Sequence, residues 1–145
     1  MVVSAFRPDI NRKVADLTRK YPALVSAELR RRLWVVETIV VLLAGENSTA
    51  EPAVLDRFYN AFWSDISRHL RTDLPGDHVR QEFDAGLDRL ATEIEADSQR
   101  PAAPEMASTP LANRIAAFLQ VSESELLGYD YKLATATRLL NELPA

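Results

Sequence analysis

The chain has 145 residues, of which 47% are hydrophobic and 26% are charged, as expected for one soluble globular domain with its own core. Cysteine is absent, which excludes disulfide bonds, thiolate zinc sites and a cysteine nucleophile, and fits a reducing compartment such as the cytoplasm. The net charge of −4 is divided unevenly along the chain. Residues 1–32 carry eight basic and three acidic side chains, whereas residues 33–145 carry nine basic and eighteen acidic ones.

Two helices are predicted at the start of the chain. Apolar side chains at intervals of three and four residues predict a helix over residues 10–21, with Asp9 as its N-cap. Pro22 suits the first turn of a second helix, which we expect to run to about Ala44 and to end at Gly45.

The second half of this second helix is the most apolar segment of the chain. A strand over residues 34–43 is the alternative, but the preceding residues favour helix and no turn signal intervenes. The apolar run of residues 33–44 would rise about 18 Å as a helix against about 30 Å for a bilayer core, so we expect a buried helix and no membrane partner.

Glu37 interrupts this apolar run. It shares one narrow helical stripe with Ser26, Arg30 and Ala44, and the simplest expectation is that this stripe faces water. The alternative is a buried carboxylate held by an arginine across a helix or subunit interface, which would make Glu37 a candidate site residue.

A third and a fourth helix flank the break at Pro75-Gly76. Ser48 or Thr49 can cap the third helix and Asp77 can cap the fourth. The apolar stripe of the third helix consists of Leu55, Phe58, Phe62, Ile66 and Leu70. That of the fourth consists of Val79, Phe83, Leu87, Leu90 and Ile94, and its outer face is acidic, with Glu82, Asp84, Asp88, Glu93, Glu95 and Asp97.

The C-terminal part of the chain predicts shorter helices. A Pro/Ala-rich linker over residues 99–110 leads to helices over 111–119, over 123–127 with Ser122 as its cap, and over 131–143. We therefore expect an all-α protein in which residues 1–98 form a helical bundle core of about four longer helices. Residues 111–145 would form a small helical appendage packed on the same domain.

Two pairs of residues could form a metal site around the Pro75-Gly76 turn. Asp65 and His69 lie four residues apart on the third helix, and His78 and Glu82 lie four apart on the fourth. In a helical hairpin the pairs would face each other, and two imidazoles with two carboxylates can bind a divalent metal. The simpler expectation is that both are ordinary side-chain pairs and that the protein has no metal or other cofactor.

Arg71 and His78 suggest an alternative catalytic function. With six residues between them, they resemble the Arg-x4–6-His motif of HEPN ribonucleases, which are small all-helical proteins that act as dimers. The resemblance covers residues 71–78 and implies a metal-independent RNA-cleaving site in which Arg71 positions phosphate and His78 assists proton transfer.

Residues 114–129 place apolar side chains as a helix-turn-helix does and are similar to the closing helices of Xre-type DNA-binding domains. The turn position that is usually glycine is Gln120. The helix that would read the DNA carries no cation, and its charged residues are Glu123, Glu125 and Asp130. These negative charges would repel the phosphate backbone of DNA. Helical packing is the preferred interpretation.

The basic N-terminal segment supplies the predicted partner-binding residues, Arg19, Lys20, Arg30, Arg31 and Arg32. Nucleic acid is a possible partner, but the acidic remainder of the chain favours another protein or a second copy of this chain. No phosphate-binding glycine loop or catalytic triad pattern is present. We therefore expect a non-enzymatic protein–protein interaction module, such as a subunit, inhibitor or neutraliser of a larger protein, using the basic face and the acidic helix face. The alternatives are a HEPN-like ribonuclease and a nucleic-acid-binding subunit.

Overall fold

A computed structural model describes residues 9–98, 110–121 and 128–143. These residues form six α-helices: α1 (Ile10–Lys20), α2 (Ser26–Asn47), α3 (Pro52–Asp73), α4 (Asp77–Ser98), α5 (Pro110–Leu119) and α6 (Gly128–Asn141). The predicted all-α class, with longer helices followed by a small C-terminal helical part, is confirmed. The predicted linker, apart from Pro110, and the predicted helix 123–127 with its cap Ser122 lie outside the described residues.

Helix α2 is the centre of the molecule. Its apolar run is buried on all sides, as expected for a helix that is hydrophobic around its whole circumference. Helices α1, α4, α5 and α6 contact it directly. None of the described helices is long and apolar enough to cross a bilayer. The strand alternative for residues 34–43 is excluded, because all of them lie within α2.

The predicted ends of α2 need correction. The helix begins at Ser26, four residues after the expected start at Pro22, which lies in a turn. It continues through Gly45 to Asn47. Gly45 does not end the helix. A Cβ atom built on Gly45 would lie 1.5 Å from Oη of Tyr59, so glycine permits the close approach of a tyrosine from α3.

Helix α3 packs on α2 through an aromatic face. Phe58 and Phe62 are buried and stack with their ring centroids 5.9 Å apart. The predicted stripe is confirmed except at its start, where Val54 is buried and Leu55 is half-buried. Both aromatic side chains belong to the buried core that α3 shares with α2.

The predicted caps of α3 are wrong, because both residues make hydrogen bonds to another helix. Its N-cap is Glu51, which makes no side-chain capping bond, and Pro52 occupies the first turn. Ser48 and Thr49 instead donate their hydroxyl groups to Oδ1 of Asn141, at 2.9 and 3.2 Å. Asn141 at the end of α6 thereby holds the α2–α3 connection.

Helices α4 and α5 join through Arg114. Its Nε and Nη2 atoms donate to the two carboxylate oxygens of Asp97, each at 2.8 Å, and its Nη1 lies 3.5 Å from Glu93. This is the bidentate arrangement that arginine and carboxylate favour. Part of the predicted acidic face of α4 is therefore neutralised within the chain.

Helix α5 ends in a Schellman motif that holds a glutamine where glycine is usual. Gln120 has a φ of 61°, and the amide of Val121 donates to the carbonyl of Ala116 at 3.1 Å. The Gln120 side chain is exposed, so the backbone alone determines which residue suits this position.

We expect Gln120→Gly to have a free energy of unfolding about 1 kcal/mol higher than Gln120→Ala, because only glycine adopts the left-handed conformation without steric cost. Urea titration followed by circular dichroism measures the difference. Equal stability of the two variants would contradict the assigned helix end.

Candidate functional site

The three consecutive arginines that were predicted to bind a partner also bind within the chain. Arg30 pairs with Asp73 at 3.1 Å and donates to Asn11. Arg31 pairs through Nε with Glu82 at 3.2 Å. Arg32 donates to the carbonyl of Phe118 at 2.7 Å and is also paired with Glu28. The arginines connect the start of α2 to α1, α3, α4 and α5, so their side chains are only partly exposed.

The other two predicted partner-binding residues lie on α1. Arg19 is exposed and pairs with Asp16 at 2.8 Å, and Lys20 is exposed at the helix end. An exposed pair three residues apart on a helix adds little stability.

An open cleft of about 670 Å³ lies between the start of α2 and the α3–α4 turn. Its apolar lining residues are Val25, Ala27, Leu74, Pro75 and Val79. Its charged lining residues are Glu28, Arg30, Arg31, Asp73 and Glu82. A smaller cleft of about 70 Å³ lies beside it and shares Val25 and Glu28.

Val25 is an unusual residue for its position. It is the N-cap of α2, it makes no side-chain capping bond, and it is 63% exposed. Aspartate, serine or asparagine at an N-cap stabilises a helix by about 1 kcal/mol relative to an apolar residue. Because Val25 is exposed, burial of its side chain does not explain why valine occupies this position. A residue that conflicts with the local helix preference in this way is typical of a functional position.

A second site is built around Glu37, and it corrects the expectation that this residue faces water. The Glu37 side chain is only 3% exposed. Lys13 from α1 pairs with its Oε1 and Lys132 from α6 pairs with its Oε2. The hydroxyl of Tyr129 donates to Oε1 at 2.9 Å and accepts from Lys13 at 3.3 Å. The alternative of a buried carboxylate is thus the correct one, with two lysines in place of the expected arginine.

Burial and charge act in opposite directions in this cluster. Burial raises the pKa of Glu37, but the ammonium groups of Lys132 and Lys13 outweigh it, so the net pKa is below 4.5. Burial, assisted by the charge of Lys13, lowers the pKa of Lys132 below 10.5 despite the favourable Glu37 carboxylate. Burial and the charge of Glu37 raise the pKa of Tyr129 well above 10.0. The Glu37 carboxylate therefore pairs with two lysine ammonium groups in a partly buried cluster.

The residues of the alternative metal site pair separately on α3 and α4. Among the described residues, no group of three or more histidine, aspartate or glutamate side chains is close enough to hold a metal ion. His69 stacks on Trp34 with centroids 6.5 Å apart, and Asp65 pairs with Arg68 at 2.6 Å. On α4, Nε2 of His78 lies 2.7 Å from Glu82.

The residues of the alternative ribonuclease motif lie at the surface. The His78 side chain is 83% exposed, and Arg71 is exposed in the last turn of α3. Neither residue lines the cleft beside the α3–α4 turn. The ribonuclease hypothesis stays a prediction from the motif.

The helix-turn-helix-like segment is described only in part. Ile115, Ala116 and Leu119 are buried in the core, as helical packing requires. Residues 122–127, which contain Glu123 and Glu125, lie outside the described residues.

Comparison with known proteins does not assign this chain to a family. The chain matches no protein-family model, no curated protein and no solved structure. The candidate sites are therefore those that the geometry defines: the cleft at the start of α2 and the cluster around Glu37.

Proposed function

We propose that this protein is a non-enzymatic protein–protein interaction module and that the cleft at the start of α2 is its binding surface. The observation that carries the proposal is the exposed Val25, which occupies the N-cap of the central helix at the edge of this cleft. A solvent-exposed apolar residue that replaces a stabilising cap is explained if a partner covers it.

The composition of the cleft supports a protein partner. Its lining combines apolar with charged side chains, the two kinds that form the apolar core and the polar rim of protein interfaces. Arg30 and Arg31 line the cleft, and we propose that these two of the predicted partner-binding residues contact the partner.

The charged side chains of the cleft limit the kind of partner segment that fits. Arg30 is paired with Asp73, and Arg31 with Glu82, so both cations of the lining are balanced by carboxylates. Such a lining favours a partner segment with one apolar anchor and flanking polar groups over a phosphate backbone, which requires uncompensated cations.

Site-specific photo-crosslinking tests the proposal. A photoreactive phenylalanine analogue at position 25 is expected to give one discrete protein adduct in the producing cell. The matched control is position 131, because Tyr131 is 76% exposed and lies on α6, away from the cleft.

Competition makes the outcome decisive. Excess wild-type protein should remove the adduct, whereas excess Val25→Asp protein should not. The proposal is contradicted if position 131 gives the same adduct or if both competitors remove it equally.

A further inference from the structure

The cluster around Glu37 contains one more positive charge than negative charge. Lys13, Lys132 and Glu37 meet there, and the fourth member, Tyr129, is held neutral by its raised pKa. The single carboxylate can balance only one ammonium group. Because the site is partly removed from water, the second ammonium group is costly to keep charged.

The contacts identify which lysine can lose its charge. Lys13 contacts Glu37 and the Tyr129 hydroxyl, and its Nζ lies 4.9 Å from the centre of the Tyr129 ring. Among the described residues, Lys132 donates to Oε2 of Glu37 alone, and its Nζ lies farther from the ring, at 5.7 Å. A neutral Lys132 can still donate one N–H to Glu37 while its lone pair is available.

The amine is also within reach of reagents. The Lys132 side chain is 37% exposed, whereas the carboxylate with which it pairs is buried. A lysine that is desolvated beside another cation is the arrangement that activates an amine as a nucleophile.

We propose that Lys132 is a covalent modification site that accepts acyl groups from thioesters. In this step Nζ forms a bond to the acyl carbon, and the carbon–sulfur bond breaks. The thiolate leaves with the electron pair and takes up the proton that the amine loses. The product amide keeps one N–H for Glu37, and the cluster becomes electrically neutral with Lys13 as the only cation.

The chain offers an internal comparison, because its only lysines are Lys13, Lys20 and Lys132. The full-length protein would be treated with acetyl coenzyme A, and the initial acetylation rate at each lysine measured by peptide mass spectrometry. We expect Lys132 to react at least about fivefold faster than the exposed Lys20, because the neighbouring cation increases its neutral fraction.

Two variants separate activation from mere exposure. Lys13→Gln leaves Lys132 as the sole cation beside Glu37, so acetylation at Lys132 should fall to about the rate of Lys20. Lys13→Arg keeps the second cation and should retain the fast rate. The proposal is overturned if wild-type Lys132 reacts no faster than Lys20, or if Lys13→Gln leaves its rate unchanged.

Discussion

Replacing Glu37 with glutamine is expected to lower the free energy of unfolding by about 3 kcal/mol, because it removes the carboxylate that pairs with two partly buried cations. The lysines come from α1 and α6, so the loss should loosen both ends of the described fold from α2. Urea denaturation followed by circular dichroism gives the value. Asp84→Asn, on the exposed face of α4, is the matched control and should change the stability by no more than about 0.5 kcal/mol.

The same variant should change the pH dependence of stability. The folded-state pKa of Glu37 is below its unfolded value of 4.5, so its contribution is fully present above pH 4.5 and is lost as the pH falls through the folded pKa. Glu37→Gln should lack this part of the acid destabilisation. Stability of Glu37→Gln within about 0.5 kcal/mol of wild type would contradict a structural role for the cluster.

The aspartate substitution at Val25 is expected to move stability and binding in opposite directions. Aspartate can cap α2, and Glu28 already lies at the third helical position, so the free energy of unfolding should rise by about 1 kcal/mol. The same change puts a charge where we expect an apolar anchor to dock, and should weaken partner binding by about 100-fold.

The matched control for this prediction is Tyr131→Asp, which changes another exposed large hydrophobic residue that does not line the cleft. It should leave partner affinity within about twofold of wild type, since it lies outside the interface. Isothermal titration with the crosslinked partner, once purified, measures both affinities. A Val25→Asp protein that binds as tightly as wild type would remove Val25 from the interface.

The helices were predictable because their signals are local. Apolar spacing at three and four residues indicated α1, α3 and α4, and the Pro75-Gly76 break placed the turn at Gly76, whose φ is 100°. Asp9 caps α1 as predicted, its Oδ1 accepting from the amide of Arg12 at 3.2 Å. Such features depend on residues only a few positions apart.

The Glu37 cluster could not be found in this way. Its partners Tyr129 and Lys132 lie more than 90 positions along the chain, and helical periodicity carries no information about which helices meet. The available signal was Glu37 itself, a carboxylate within the most apolar run. That signal predicts a buried acid but does not name the cations that balance it.

The roles of Gly45 and Val25 also depend on tertiary contacts and could not be predicted from the sequence. Gly45 resembles a helix end, but its role depends on Tyr59 approaching from another helix. Val25 precedes α2 as an ordinary apolar residue, and it becomes informative only when the structure makes it an exposed N-cap beside a cleft.

Hydrogen–deuterium exchange on the purified complex tests directly whether a partner covers the cleft at the start of α2. The first amides of α2 lack a side-chain cap, so they should exchange quickly in the free protein and report sensitively on a covering partner. We expect the partner to slow exchange at residues 25–31 and 73–79, with no change in α6. Protection confined to α6 or to the outer face of α4, with the start of α2 unaffected, would contradict it.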